Sequence, residues 1–466
     1  MKPLFTDSCL ALALWAGAAA AAESPATVVS NAEARRGVDV TVYNRDLALV
    51  RETRSVELPG GTFRLEFRDV PAQIDPVTLL VNAPGDRSFD LLEQNYEFDL
   101  MSRQRILEKY VGRDLSWIQE DGKRIQGTLL GMSDGPVFKV GGEVVFDVPG
   151  RLALPALPSN LRDRPTLVWL AGSERRGATE LEASYVTHGM SWQADYVLQL
   201  DAAGQRGDLQ AWVSVDNRSG GAFNDAKLLL VAGDVNQVAP KHAIMADMAM
   251  MASSREAGFV QEEMYDYHLY TLQRPTTLLD NQIKQIALFE AQGMKVERQY
   301  RLTGQEYYYR GMGEMTQSPP VEVHYSFANR ATNALGKPLP AGVVRVYGRS
   351  AGGGRQLLGE DRINHTPVDE TVRLHTGNAF DIVAERVRTD SSKVGDDRYR
   401  YSFAITLRNH KTEAVVVDVL ESVGGFWEMK ASSLPAKKVD ASTLSFAVPV
   451  PAGGQTVLTY TVDVRY

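Results

Sequence analysis

The sequence predicts a mostly β protein of several domains, built from antiparallel β-sandwiches of the Ig-like kind with a small SH3- or Sm-like barrel insertion and one short helix. Three observations predict it. In the stretch from Tyr185 to Asn236, Leu209, Ala211, Val213 and Val215 alternate with Gln210, Trp212, Ser214 and Asp216, the period of a strand with one buried face. An Asn followed by a basic residue or His closes a strand at Asn44-Arg45, Asn217-Arg218, Asn329-Arg330 and Asn409-His410. A turn of Pro and Gly launches a strand at Pro59-Gly60-Gly61, Pro340-Ala341-Gly342 and Pro451-Ala452-Gly453-Gly454. Strand-turn-strand units without helices between them point to stacked antiparallel sheets and not to a parallel βαβ sheet.

Residues 1–22 read as a secretion signal. Lys2 supplies the positive start, Leu10 to Trp15 the apolar core and Ala20-Ala21-Ala22 the small residues of a cleavage site. The expected mature protein begins near Glu23 and is periplasmic or secreted. A membrane-spanning helix takes roughly 20 apolar residues, and no stretch reaches that length, so no transmembrane segment is expected. Cys9, the one cysteine, lies inside the signal and is badly placed to become a lipid-modified N-terminus. An exported chain without disulfides depends on core burial. With 466 residues, 44% of them hydrophobic, it can form two to four domains. The net charge of -8 argues against nucleic acid or an anionic membrane as a partner.

A polar linker is expected over 23–37, followed by an N-terminal β domain over 38–175. There Phe63, Leu65 and Phe67 face one way and Arg64, Glu66 and Arg68 the other. A helix fits Ser102 to Val111, with Ile106, Leu107, Tyr110 and Val111 as its apolar stripe. Asp121-Gly122, Asp134-Gly135 and Gly141-Gly142 are closely spaced hairpin signals, the rhythm of the barrel insertion at about 99–150. A central sandwich region is expected over 176–376, interrupted by a Met-rich loop at 239–263, and a C-terminal Ig-like sandwich over 377–466. In the last strand Leu458, Tyr460, Val462, Val464 and Tyr466 alternate with Thr459, Thr461, Asp463 and Arg465.

The segment SYVTHGMSWQADY, with the later NRSGGAFNDAKLLLVAGDVN, resembles the bacterial domain-of-unknown-function 4139 family, related to mucoidy inhibitor A-like proteins. The resemblance extends over roughly Val38 to Tyr466 and implies an exported β-sandwich protein without an assigned activity. Its motif residues here are Trp192, Asp195, Tyr196, Asn217, Gly220, Gly233 and Asp234, which read as structural.

No catalytic set assembles along the chain. The mature protein has no cysteine, and in His188-Gly189-Met190-Ser191-Trp192 the serine and tryptophan read as the opening of a strand. His188, His242, His268, His324, His365, His375 and His410 are scattered singly, without H-x-x-x-H or H-E-x-x-H spacing. Asp216, Asn217, Ser219, Asn224 and Asp225 do not match an EF-hand loop and read as a hairpin turn. The AGGG run from Ala351 to Gly354 follows a strand but lacks the helix and Lys-Ser pair of a phosphate loop. One cluster is unusual: His242 with Met245, Met248, Met250 and Met251. It fits a loop without ligand, a helix that docks a partner, or a Cu(I) site, since thioethers are soft ligands. The sequence therefore favours a non-enzymatic envelope protein acting by binding or structural association, its partner an envelope protein or glycan, with no cofactor. An envelope hydrolase with residues on separate loops and a periplasmic Cu(I)-binding protein are the alternatives.

Overall fold

The computed structural model describes residues 25–97, 99, 101–158, 161–233, 259–264, 267–349 and 353–466. The signal segment 1–22, Asp234 and the His242/Met245/Met248/Met250/Met251 cluster lie outside the described residues. The fold is mostly β, with several multi-stranded sheets and one α-helix among the described residues. None of the described helices is long and apolar enough to cross a membrane.

The chain divides into two compact units, and strands Arg35–Tyr43, Ala48–Leu58, Ile74–Asn82 and Gly177–Thr187 each have residues in both. The first unit holds residues up to Arg36, Thr53–Val70 and Val81–Ala183. Its four-stranded sheet has the order Ala26–Ser30, Gly61–Arg68, Thr166–Ser173, Asp90–Glu97. The predicted alternation is visible in Phe63, Leu65 and Phe67, all buried. Where polar composition predicts a linker, Ala26–Ser30 instead forms a strand parallel to Gly61–Arg68. Its β-branched Thr27, Val28 and Val29 suit a strand, and its backbone pairing completes that edge.

The insertion follows the helix Arg103–Lys109, whose first turn is capped by the Ser102 hydroxyl accepting from Arg105 N–H at 3.1 Å. Leu107 and Tyr110 pack on Leu115, Trp117, Leu129 and Phe138. The five strands run Glu143–Val145, Val137–Val140, Arg124–Gly131, Asp114–Ile118, Arg151–Ala153. The outer two do not pair with each other, so the sheet is open where the turn rhythm predicts a barrel. Strands of three residues at both edges are too short to close it.

The second unit holds Gly37–Glu52, Pro71–Leu80 and Ser184–Tyr466. Its five-stranded sheet has the order Gln282–Lys295, Arg206–Asn217, Met190–Leu200, Gly342–Arg349, Arg355–Ile363. One face is buried through Ala194, Tyr196, Leu198, Val213, Val344 and Val346. Trp192 ties this sheet to a second layer, its indole Nε1 donating to the Val231 carbonyl at 3.1 Å. In that layer Phe223–Ala232 pairs in parallel with Arg35–Tyr43 and antiparallel with Tyr267–Leu272. The Met-rich loop predicted to reach residue 263 gives way earlier to the strand Phe259–Met264, paired with Tyr267–Leu272.

The C-terminal sheet buries Leu302, Phe403, Ile405, Val417, Phe446 and Tyr460 in one core. The predicted boundary at 376/377 falls inside a single strand, Thr371–Lys393. That strand pairs with Pro320–Ala328 along its first half and with Arg398–Asn409 along its second. A strand of that length serves two sets of neighbours, which composition alone does not reveal.

Candidate functional site

Alternation on Met190–Leu200 sends Trp192, Ala194 and Tyr196 inward and Gln193, Asp195 and Val197 to the opposite face. On that outer face a polar chain crosses all five strands. Gln285 Nε2 donates to Ser214 Oγ at 3.1 Å, and Ser214 Oγ donates to Asp195 Oδ2 at 2.6 Å. Arg345 lies 3.3 Å from Asp195 and 3.3 Å from Glu360. A carboxylate that accepts from both a hydroxyl and a guanidinium is held firmly, and Asp195 and Ser214 are both buried. Ser214 is oriented by these contacts but has no imidazole among its described hydrogen-bond partners, so the pair lacks the base of an activated serine.

Trp212 stands directly opposite Asp195 on the neighbouring strand and is 38% exposed. A bulge at Ala211/Trp212 shifts its pairing with the edge strand Gln282–Lys295. Bulges re-aim side chains in this way. Beside it lies a groove of about 370 Å³ lined by Gln210, Trp212, Arg274, Phe289 and Glu290. An indole face next to an amide, a carboxylate and a guanidinium offers both stacking and hydrogen bonding.

The motif residues occupy distinct places. Trp192 is buried and packs edge-on to Tyr270 at 6.2 Å. Tyr196 is buried, and its hydroxyl donates to the Pro340 carbonyl at 2.8 Å. Burial pushes that phenol well above the usual range. Asn217 Nδ2 donates to the carbonyls of Gly221 and Leu279. Gly220 has φ +77°, and a Cβ there would meet Ala72 Cβ at 2.5 Å. Gly233 has φ +137°, and a Cβ would meet the Tyr267 ring at 2.5 Å. Of the described motif residues only Asp195 reaches the polar chain, and Trp212, Arg274 and Glu290 of the groove escaped sequence reasoning. Trp212 was legible as an aromatic at a polar position of an alternating strand. Arg274 and Glu290 carried no signal, because their segments meet only in three dimensions.

The structure corrects the reading of the histidines as single residues. His324 and His375 lie opposite each other on paired strands, with ring centroids 5.0 Å apart. Glu322 Oε2 lies 2.9 Å from His324 Nε2. Spacing rules for one helix or loop miss such a pair, although Glu322-Val323-His324 places two donors on one strand face.

Comparison with known proteins adds one relation. The family described as Domain of unknown function (DUF4139) matches residues 181–466, more than half of the chain, including all strands of the five-stranded sheet that carries Asp195 and of the C-terminal sheet. No curated protein matches the chain.

Proposed function

We propose that this chain, which belongs to the DUF4139 family, is a non-enzymatic binding protein of the bacterial envelope that holds a glycan in the groove beside Trp212, along the edge strand Gln282–Lys295 of its five-stranded sheet. The observation that carries the reading is the groove beside Trp212, bordered by Gln210, Arg274 and Glu290. The apolar face of a sugar ring stacks on an exposed indole, while its hydroxyls exchange hydrogen bonds with amide, carboxylate and guanidinium groups. The polar chain through Asp195 and Arg345 keeps the sheet beneath in register. In this reading the sandwiches are Ig-like, and the protein is exported by the signal at residues 1–22, cleaved near Ala22 and free in the periplasm or medium.

Two measurements test it. N-terminal sequencing of the mature protein is expected to start near Glu23; retention of Met1 or a lipid on Cys9 would contradict export by a cleaved signal. Binding of the mature protein to purified peptidoglycan and envelope polysaccharide is expected to weaken at least tenfold in Trp212→Ala with an unchanged melting temperature. Equal binding by the variant, or no binding of any envelope glycan by the intact protein, would remove the glycan reading.

A further inference from the structure

We infer that Glu322, His324 and His375 form a binding site for a divalent transition-metal ion, with zinc the ion their donor set favours. Glu322 and His324 are two residues apart on the strand Pro320–Ala328 and therefore share a face. His375 sits opposite His324 on Thr371–Lys393. One donor atom from each of the three residues lies within 4.8 Å of the others. Two imidazoles and one carboxylate are a known zinc set, with bonds of about 2.0–2.2 Å. Donors around one tetrahedral ion are then roughly 3.3 Å apart, so closing the widest gap takes side-chain movement of up to about 1.5 Å.

The surroundings divide that adjustment unequally. His324 is buried, with its side chain 11% exposed, whereas His375 is exposed, so the adjustment falls on the His375 side chain. The backbone carrying His375 is fixed from two sides: its N–H donates to Asp361 Oδ2 at 2.8 Å, and the Thr376 hydroxyl donates to the Val323 carbonyl at 3.2 Å. The register shifts at this point, with Thr376 as the extra residue between His375 and Gly377, whose φ is +143°. Such a bulge aims His375 towards the Glu322–His324 pair while the strands remain joined. Three protein donors with one exposed member leave a fourth position open to solvent, where water or an outside ligand completes the shell.

The test uses the tag-free mature protein, stripped with chelator and titrated calorimetrically with Zn²⁺ alone. One ion per chain is expected, with a rise in melting temperature. His375→Ala and Glu322→Gln are each expected to weaken Kd at least tenfold and to abolish the thermal shift, while melting normally without metal because both side chains reach solvent. Co²⁺ is expected to give the visible bands of a tetrahedral site, absent in His375→Ala. His242→Ala, in the Met-rich segment, is expected to bind as the intact protein does. The inference is overturned if no zinc binds, if the Glu322→Gln/His375→Ala double variant binds as well as the intact protein, or if His242→Ala alone removes binding.

Discussion

Asn217 and Asn409 make the same hydrogen bonds at the ends of strands in two different sheets. Each Nδ2 donates to the carbonyl four residues on, Gly221 at 2.9 Å and Glu413 at 2.8 Å. Each also reaches two consecutive carbonyls of a later turn, Leu278 and Leu279 in one case, Val450 and Pro451 in the other. Each Oδ1 accepts the backbone N–H two residues on, from Ser219 and from Lys411. Asn329 makes a related set with Lys337, Thr366 and Pro367. A buried turn has carbonyls that no strand can pair, and an amide carries two donors and an acceptor on one short side chain.

Asn409→Asp removes the donors and leaves buried carbonyls facing a carboxylate. An unsatisfied buried group costs about 1–3 kcal/mol, so Asn409→Asp and Asn217→Asp are each expected to lower stability by about 2–4 kcal/mol. Urea unfolding measures this. An unchanged midpoint would mean the turns are held by other contacts.

Trp192 is 2% exposed and hydrogen-bonds across to the second layer. Trp192→Ala is expected to cost about 3–5 kcal/mol, as for other buried aromatics. Ser191, on the opposite face and part-exposed, is expected to tolerate Ala at little cost. Thermal melts of the two variants decide; a Ser191→Ala variant less stable than Trp192→Ala would reverse the assignment.

Alkaline stability follows from three phenols. Burial pushes Tyr196, Tyr309 and Tyr460 well above the usual range, and the charge of Glu421 adds to the effect at the last two. Their neutral forms are favoured in the folded state. The stabilisation is therefore complete below the unfolded value of about 10 and is lost as pH rises beyond it. Tyrosinate absorbance from these three is expected only together with unfolding. A titration in which all 18 tyrosines ionise reversibly near pH 10 while the fold persists would refute this.

The strand Gln455–Arg465 lies between Arg398–Asn409 and Phe426–Ser432, and Leu458, Tyr460, Val462 and Val464 are buried. Truncation before Leu458 removes four inward side chains worth roughly 1.5–3 kcal/mol each. The C-terminal sheet is expected to lose its cooperative melt. A truncated chain that melts like the intact one would show that the strand is dispensable.

Asp463 shows how far that strand could be read. Its alternation with Val462 and Val464 predicts an outward, solvated carboxylate, yet Asp463 is 5% exposed. The reason is Arg400 on the neighbouring strand, which grips both carboxylate oxygens at 2.7 and 2.9 Å. The hydrogen bonds and charge of Arg400 hold Asp463 below the usual carboxylate range. Period-2 reading tells which face a residue occupies but not what covers it.

The same limit explains Arg386 and Glu421, an ion pair whose side chains are both wholly buried. Tyr309 donates to Glu421 at 2.9 Å and the Arg386 guanidinium lies over the Tyr308 ring. A charge at a core position looks like a surface residue until its partner is known, because a buried charge is tolerable only when paired.

The amino-acid sequence by itself settled the β character, the inward rows of the long strands and the Asn-centred turns. These have a local component: burial of one face imposes a period of two, and Asn217 and Asn409 each accept the N–H two residues on and donate to the carbonyl four residues on. Tertiary structure alone decided the partners. It set Met190–Leu200 parallel to Gly342–Arg349, carried Thr371–Lys393 through a predicted boundary, and brought His375 opposite His324. Pairing is a relation between distant segments, and a strand's pattern of buried residues is compatible with many neighbours until the whole core is packed.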